Sequence, residues 1–335
     1  MLVRIFKGNS PGTIILIAVM ILAAWLSAFI HPSGQMGARF DSTAMPLYGL
    51  LVQATGESLI IRSSVAFLFT AGLIFLMTYF NTRDFFINER TFLPAMFYGL
   101  TPAFIPGFQQ LNPAQPAAVL LILMLIRIMD SYRKPGLANN FFDAGILLST
   151  GSLFYANVLW FGIIVIIGIV LIRSVTVSEV LIGIIGIITP YFLLAGIYYV
   201  TGKDLMAMYN LLRENLIGKV ESFHYTRLEI GSAAIYSIIT LIAFVYLLSH
   251  LGGKKVKSRQ TFSLLIWTFL LTVTVYVVIP SASAEVLWLT AIPASYFLTH
   301  YFVFVRKGII PQILLAIFLL TLAVVQIIYL RQATV

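Results

Sequence analysis

The sequence predicts an all-α membrane protein with about 11 transmembrane helices and two amphipathic loop helices on its periplasmic side. Three observations carry that class. Sixty per cent of the residues are hydrophobic and only 10% are charged, against roughly 25% charged in soluble domains. Apolar windows of about 18 to 22 residues, enough to cross a bilayer, recur from Thr13 to Leu330. The longest polar stretch, Thr201 to Glu229, leaves no room for a soluble domain, so residues 1–335 form a single polytopic membrane domain. The formal net charge of +9 fits lysines and arginines that hold cytoplasmic loops beside anionic lipid, so no nucleic-acid partner is expected. With zero cysteines, disulfides, thiolate zinc sites and thiol nucleophiles are excluded.

In MLVRIFKGNSPG, Arg4 and Lys7 precede an apolar run that is long for a signal peptide and ends at Phe29-Ile30-His31 without small residues for cleavage. It is read as a retained first helix, about 13–30, with the N-terminus cytoplasmic. An outer loop follows at 31–58, containing the short apolar helix 44–55, with Asp41, Ser42 or Thr43 as its cap. The second helix, about 59–80, returns to NTRDFFINER. The third, about 91–108, has Thr91 to cap it and Pro94 in its first turn, with Pro102 and Pro106 kinking or ending it. FQQLNPAQP then turns into the fourth helix, about 114–130.

Residues 143–173 read either as one tilted helix or as two short ones broken around Phe154-Tyr155-Ala156-Asn157. Charge favours two. That reading places 14 of the 21 basic residues inside, whereas one helix gives 12 and exports the KKVKSR loop, against the positive-inside rule. Helix seven, about 179–200, leads to the second outer loop, 201–229. There Leu205, Met208, Leu211, Leu212 and Leu216 recur at helical spacing, as in an interfacial amphipathic helix. Four more helices, about 230–249, 261–279, 286–304 and 309–330, place the C-terminus outside.

Asp41 is the first candidate for chemistry, as a general base at the outer face. Glu57 and Arg62 straddle the start of the second helix. A guanidinium one turn into an apolar run must snorkel or find a partner, and it can clamp a phosphate through two parallel hydrogen bonds. Lys203, Arg213 and His224 in the second outer loop could add phosphate-binding cations, and a solvated mixed-charge face is the plainer reading of that loop. His31, His250 and His300 read as interfacial residues near helix ends. No HxxxH or DxD spacing argues for a metal, no cofactor is named, and the membrane interior reads as nearly free of ionisable groups. The aromatic residues read mainly as lipid-facing bulk and interfacial belt.

INERTFLPAMFYGL, FFDAGILLSTGSLFY and GIIGIITPYFLLAGIYYV resemble an uncharacterised polytopic inner-membrane family of Bacteroidetes. In architecture the chain resembles the GT-C glycosyltransferases, which take sugars from polyprenyl-phosphate donors. The segments that carry this likeness are RFDSTAMPLYGLLVQATGESLIIRSSVAFL, NPAQPAAVLLILML, GILLSTGSLFYANVLWF and IPSASAEVLWLTAIPASYFL. The resemblance implies that Asp41 is the catalytic base with Arg62 nearby, and that the partner is a membrane lipid, the polyprenyl-phosphate carrier. It departs from the pattern at Gln115, where those enzymes often carry an acid, and at Ala284-Glu285, where they often carry a cation. A GT-C-like enzyme of the bacterial inner membrane is therefore the first expectation, with a non-catalytic scaffold or partner subunit of an envelope assembly as the alternative and a lipid or carrier flippase third.

Overall fold

A computed structural model describes residues 2–8, 10–30, 44–132, 139–172, 177–218, 226–305 and 308–332. All regular structure among them is helical: α1 (Leu2–Lys7), α2 (Pro11–Ile30), α3 (Pro46–Thr55), α4 (Leu59–Asp84), α5 (Leu93–Leu100), α6 (Ala114–Asp130), α7 (Asn139–Ser152), α8 (Gly162–Ile172), α9 (Val177–Val200), α10 (Leu205–Ile217), α11 (Arg227–His250), α12 (Val256–Val278), α13 (Glu285–Trp288), α14 (Ala291–Phe304) and α15 (Ile309–Gln332). Three 3-10 segments, Thr101–Phe104, Pro106–Gln109 and Ala156–Phe161, complete it.

Seven helices among the described residues are long and apolar enough to cross a membrane: α2, α4, α9, α11, α12, the α13–α14 run and α15. The chain is a polytopic helical membrane protein. The other four predicted crossings fall on shorter pieces. α5 has 8 residues before Pro102 and Pro106 turn the chain into 3-10 geometry, and α6, at 17 residues, rises only about 25 Å against a hydrocarbon core of roughly 30 Å. The rest of the shortfall is the pair α7 and α8.

That pair begins and ends at the same end of the bundle. Asp143 on α7 meets Arg127 on α6 at 3.7 Å, and the Leu171 carbonyl on α8 accepts from Gln260 at 2.8 Å. The same end holds the Arg83–Asp130 ion pair and Lys257–Asp84 at 2.8 Å. We call it the basic end. Between Asp143 and Leu171 the helix breaks at Leu153–Tyr155, where two short helices were predicted to meet. At the opposite, far end the Tyr48 hydroxyl donates to the Leu111 carbonyl and Gln110 donates to Ser63.

Glycines let α7 and α9 touch backbone to backbone. A Cβ added to Gly145 would lie 2.4 Å from the Gly183 carbonyl oxygen, and one on Gly186 would lie 2.3 Å from that of Phe142. In lipid, close van der Waals packing of this kind replaces the hydrophobic drive between helices.

α14 runs through the centre, with every residue from Ala291 to Val303 buried. Around it an aromatic cluster corrects the expectation of a mainly lipid-facing aromatic set. Tyr296 packs edge-on against Phe80 and Phe86, Phe86 packs against Phe262, and the Tyr296 hydroxyl donates to the Met77 carbonyl at 2.8 Å. Phe86 reaches this core because Phe85 caps α4 in the left-handed region, φ 47°, and so turns the chain inward.

α3 starts at Pro46, with Met45 in the cap position, and the expected capping residues Asp41, Ser42 and Thr43 lie outside the described residues. Proline at the first position fixes the start. At α5 the Thr91 hydroxyl does accept, from the Leu93 N–H, although Phe92 holds the cap position.

Candidate functional site

The two amphipathic helices predicted for the outer loops are present as α3 and α10, and both lie over the break between α7 and α8. The Leu47 N–H donates to the Leu153 carbonyl at 3.1 Å. Met45, Leu153 and Ala156 form a small core with Leu47 of α3 and Leu211, Leu212 and Leu216 of α10. Asp204 caps α10 by accepting from the Met206 N–H at 2.8 Å, which gives that loop acid a structural role.

The predicted site residues are placed as follows. Asp41 and His224 lie outside the described residues. Glu57 is exposed in the turn ahead of α4. Arg62 bends back along that turn, its Nε donating to the Gly56 carbonyl at 3.0 Å, as a snorkelling arginine should. Lys203 is exposed, with its ammonium 5.6 Å from the Tyr198 ring centroid, and Arg213 lies on the exposed face of α10. α3 and α10 each turn apolar side chains toward the small core at Leu153 and Ala156.

Beneath this roof lies a polar cluster that the sequence reading passed over. Asn157 Nδ2 donates to the Ser281 carbonyl at 3.2 Å, and Ser281 Oγ donates back to Asn157 Oδ1 at 3.1 Å. Tyr155 joins through Asn157 and Ser283, with the Glu285 carboxylate beside it. Glu285 is only 5% exposed, and its Oε2 has no hydrogen-bond partner among the described residues. Burying an acid that is not fully satisfied is costly, so such a group is a candidate for function rather than for stability. The sequence signal was slight: one acid closing the turn PSASAE.

The short helix α13 has a second face. Ala284, Leu287 and Trp288 line an apolar cavity of about 650 Å³ bounded by the 3-10 turns at Thr101–Phe108, α11 and α12. Phe104, Phe108, Tyr236 and Phe269 supply most of its aromatic wall, while Thr101 Oγ1 donates to the Tyr236 hydroxyl at 3.4 Å inside it. Ile230 and Leu241, also lining it, are more than half exposed on the outside of the bundle. Glu229 sits at the rim as a structural acid. It accepts from Thr226 N–H and Oγ1 at 2.8 and 2.9 Å and from the Tyr329 hydroxyl at 2.8 Å.

Glu179, Glu229, Glu285 and His300 are all buried, each near an end of its helix. Hydropathy windows hide such residues because one acid in 20 apolar positions barely moves the mean.

Fold and site together define a polytopic helical membrane protein with a lateral apolar cavity and a buried carboxylate at one end. The chain belongs to a family of unknown function (DUF6427), whose family model matches residues 45–333. No curated protein and no solved structure matches the chain.

Proposed function

We propose that this protein is a GT-C-like glycosyltransferase of the bacterial inner membrane, working on a polyprenyl-phosphate-linked sugar at the periplasmic face. The observation that carries the reading is the apolar cavity, of a size suited to a lipid chain, which shares helix α13 with the buried Glu285 cluster under the two outer segments. The carrier chain lies in the cavity and its phosphate reaches the roof, where Arg62, Lys203 and Arg213 stabilise the departing anion, and Glu57 and His224 are further substrate-binding candidates. Asp41 takes the proton of the acceptor hydroxyl. In this arrangement the four short segments complete about 11 crossings, the basic end with the N-terminus is cytoplasmic, and the C-terminus is periplasmic.

The test has two parts. Ala234→Trp, which projects a ring into the cavity, is expected to weaken binding of a short-chain polyprenyl phosphate to the purified protein by about tenfold or more. Asp41→Asn is expected to melt like the wild type and to lose about 100-fold or more in transfer rate, because an amide cannot accept the proton. Unchanged carrier binding in the first variant and full complementation of a deletion strain by the second leave the reading without support.

One observation favours the alternative, a non-catalytic scaffold or partner subunit. Gln115 stands where the resembled enzymes often carry an acid, and its amide is committed to structure, donating to the carbonyls of Phe108 and Gln110 at 3.2 Å each.

A further inference from the structure

At the basic end, away from the proposed transfer site, a second cavity of about 850 Å³ opens between the α4–α5 connection, the α11–α12 turn and the end of α14. Its walls carry Lys254, Lys255, His250 and His300, with Tyr246 and Phe304 as aromatic sides, and no carboxylate lines it among the described residues.

Three cations elsewhere at this end have a fixed acidic partner, and Lys7 donates to the Val303 carbonyl at 3.0 Å. Arg83, Arg127 and Lys257 each face an aspartate, at Asp130, Asp143 and Asp84 respectively. Lys254 has no such partner among the described residues. Its ammonium instead stands between two ring faces, 5.0 Å from the Phe262 centroid and 4.8 Å from that of Phe304. Half-burial without a counter-charge pushes Lys254 down to about 8, from an ordinary lysine value near 10.5.

The histidines point the same way. His300 is 1% exposed, lines the cavity, and has no hydrogen-bond partner for its Nδ1 among the described residues. His250 donates from Nδ1 to the Tyr246 carbonyl at 2.9 Å, and in its charged form the ring carries a second N–H, at Nε2, that can donate to an anion. A buried, unpartnered ring nitrogen and a half-buried ammonium without a counter-charge in one cavity are costly alone, and a bound anion satisfies both when that nitrogen carries the ring proton.

We infer that this cavity is a binding site for a phosphate monoester group, with Lys254 as its principal cation and His250 and His300 as supporting ring donors. Basic pockets between transmembrane helices are suited to anionic headgroups, and an ammonium backed by aromatic faces suits a compact, highly charged phosphate. The site is independent of the transfer reaction proposed above.

The test uses the full-length protein, delipidated in neutral detergent, and measures binding of dioctanoyl phosphatidic acid, dioctanoyl phosphatidylcholine and inorganic phosphate. The wild type is expected to bind phosphatidic acid in preference to phosphatidylcholine. Lys254→Gln should weaken that binding by about tenfold or more, since one charge-assisted hydrogen bond is lost, whereas Lys254→Arg should retain it. Arg259→Gln, a charge change at an exposed position outside the cavity, should leave it unchanged. Binding of phosphatidic acid alone identifies a lipid headgroup as the source, and Lys254-dependent binding of inorganic phosphate identifies the free ion. Equal binding of the two lipids by the wild type overturns the inference even if a variant fails to fold. So does equal affinity in the wild type and a folded Lys254→Gln.

Discussion

Asn157 and Ser281, 124 residues apart, exchange two hydrogen bonds, the amide donating to a backbone carbonyl and the hydroxyl donating back to the amide oxygen. This pair ties the break after α7 to the turn before α13, and so fixes the floor of the candidate site. Both residues are buried. Ser281→Ala is expected to cost about 0.5–1.5 kcal/mol, the range for a single interhelical hydrogen bond in a membrane protein. Asn157→Ala should cost more, about 2 kcal/mol, because it also strands a backbone carbonyl. Reversible unfolding of the single and double variants in mixed micelles measures both costs, and a double variant whose cost equals the sum would show that the two side chains are uncoupled.

The contact between α7 and α9 admits no side chain at Gly145 or Gly186. The obstructing atoms are backbone, which cannot rotate away. Gly145→Ala and Gly186→Ala are each expected to destabilise the protein by about 1–3 kcal/mol through overpacking, despite alanine's better helix propensity. Gly72→Ala, in open space on α4, should be neutral or slightly stabilising. Thermal unfolding of the three variants in one detergent is the comparison, and equal midpoints would remove the close contact from the account.

Lys254 makes stability depend on pH with a definite sign. Its folded value, about 8, lies below its unfolded value, so the unfolded state binds more protons between about pH 8 and pH 10.5. Stability therefore rises as pH climbs through that window, and the penalty is fully present below it. Lys254→Met in delipidated protein should melt roughly 2 °C higher than wild type at pH 7, the cation being half-exposed and its penalty discounted for solvent. The gap should shrink by pH 10. His250, His300 and Lys255 share the cavity with Lys254 and are unchanged in sequence between the two proteins. A gap that is constant with pH assigns the effect to packing.

The paired short helices bring the chain back to the end it left, and this can be tested from outside. Single cysteines at Gly252, an open position in the α11–α12 turn, and at Met206, 60% exposed on α10, carry no steric cost. A membrane-impermeant maleimide on intact spheroplasts should label position 206 and spare 252. The reverse pattern would place the basic end outside and invert the proposed orientation of the whole molecule.

What the sequence determined by itself is the run of helical segments and the punctuation between them. Apolar windows located the long helices, Pro102 and Pro106 marked the end of α5, the Leu spacing after Asp204 located α10, and the positive-inside count favoured a break between Asp143 and Leu171. Each is a local signal: a missing N–H, a period of 3.6, or a surplus of charge at one end. Only the tertiary structure decided which face of each long helix turns inward. In a soluble helix the polar face gives that away, but a helix in lipid is apolar all round and its periodicity vanishes. So Tyr296 and Phe86 could not be told from lipid-facing aromatics, nor His300 and Glu285 from exposed residues at a helix end. Their roles arise from partners far away in the chain: Met77 for Tyr296, Tyr155 for Glu285, and Lys254 and Tyr246 for His300.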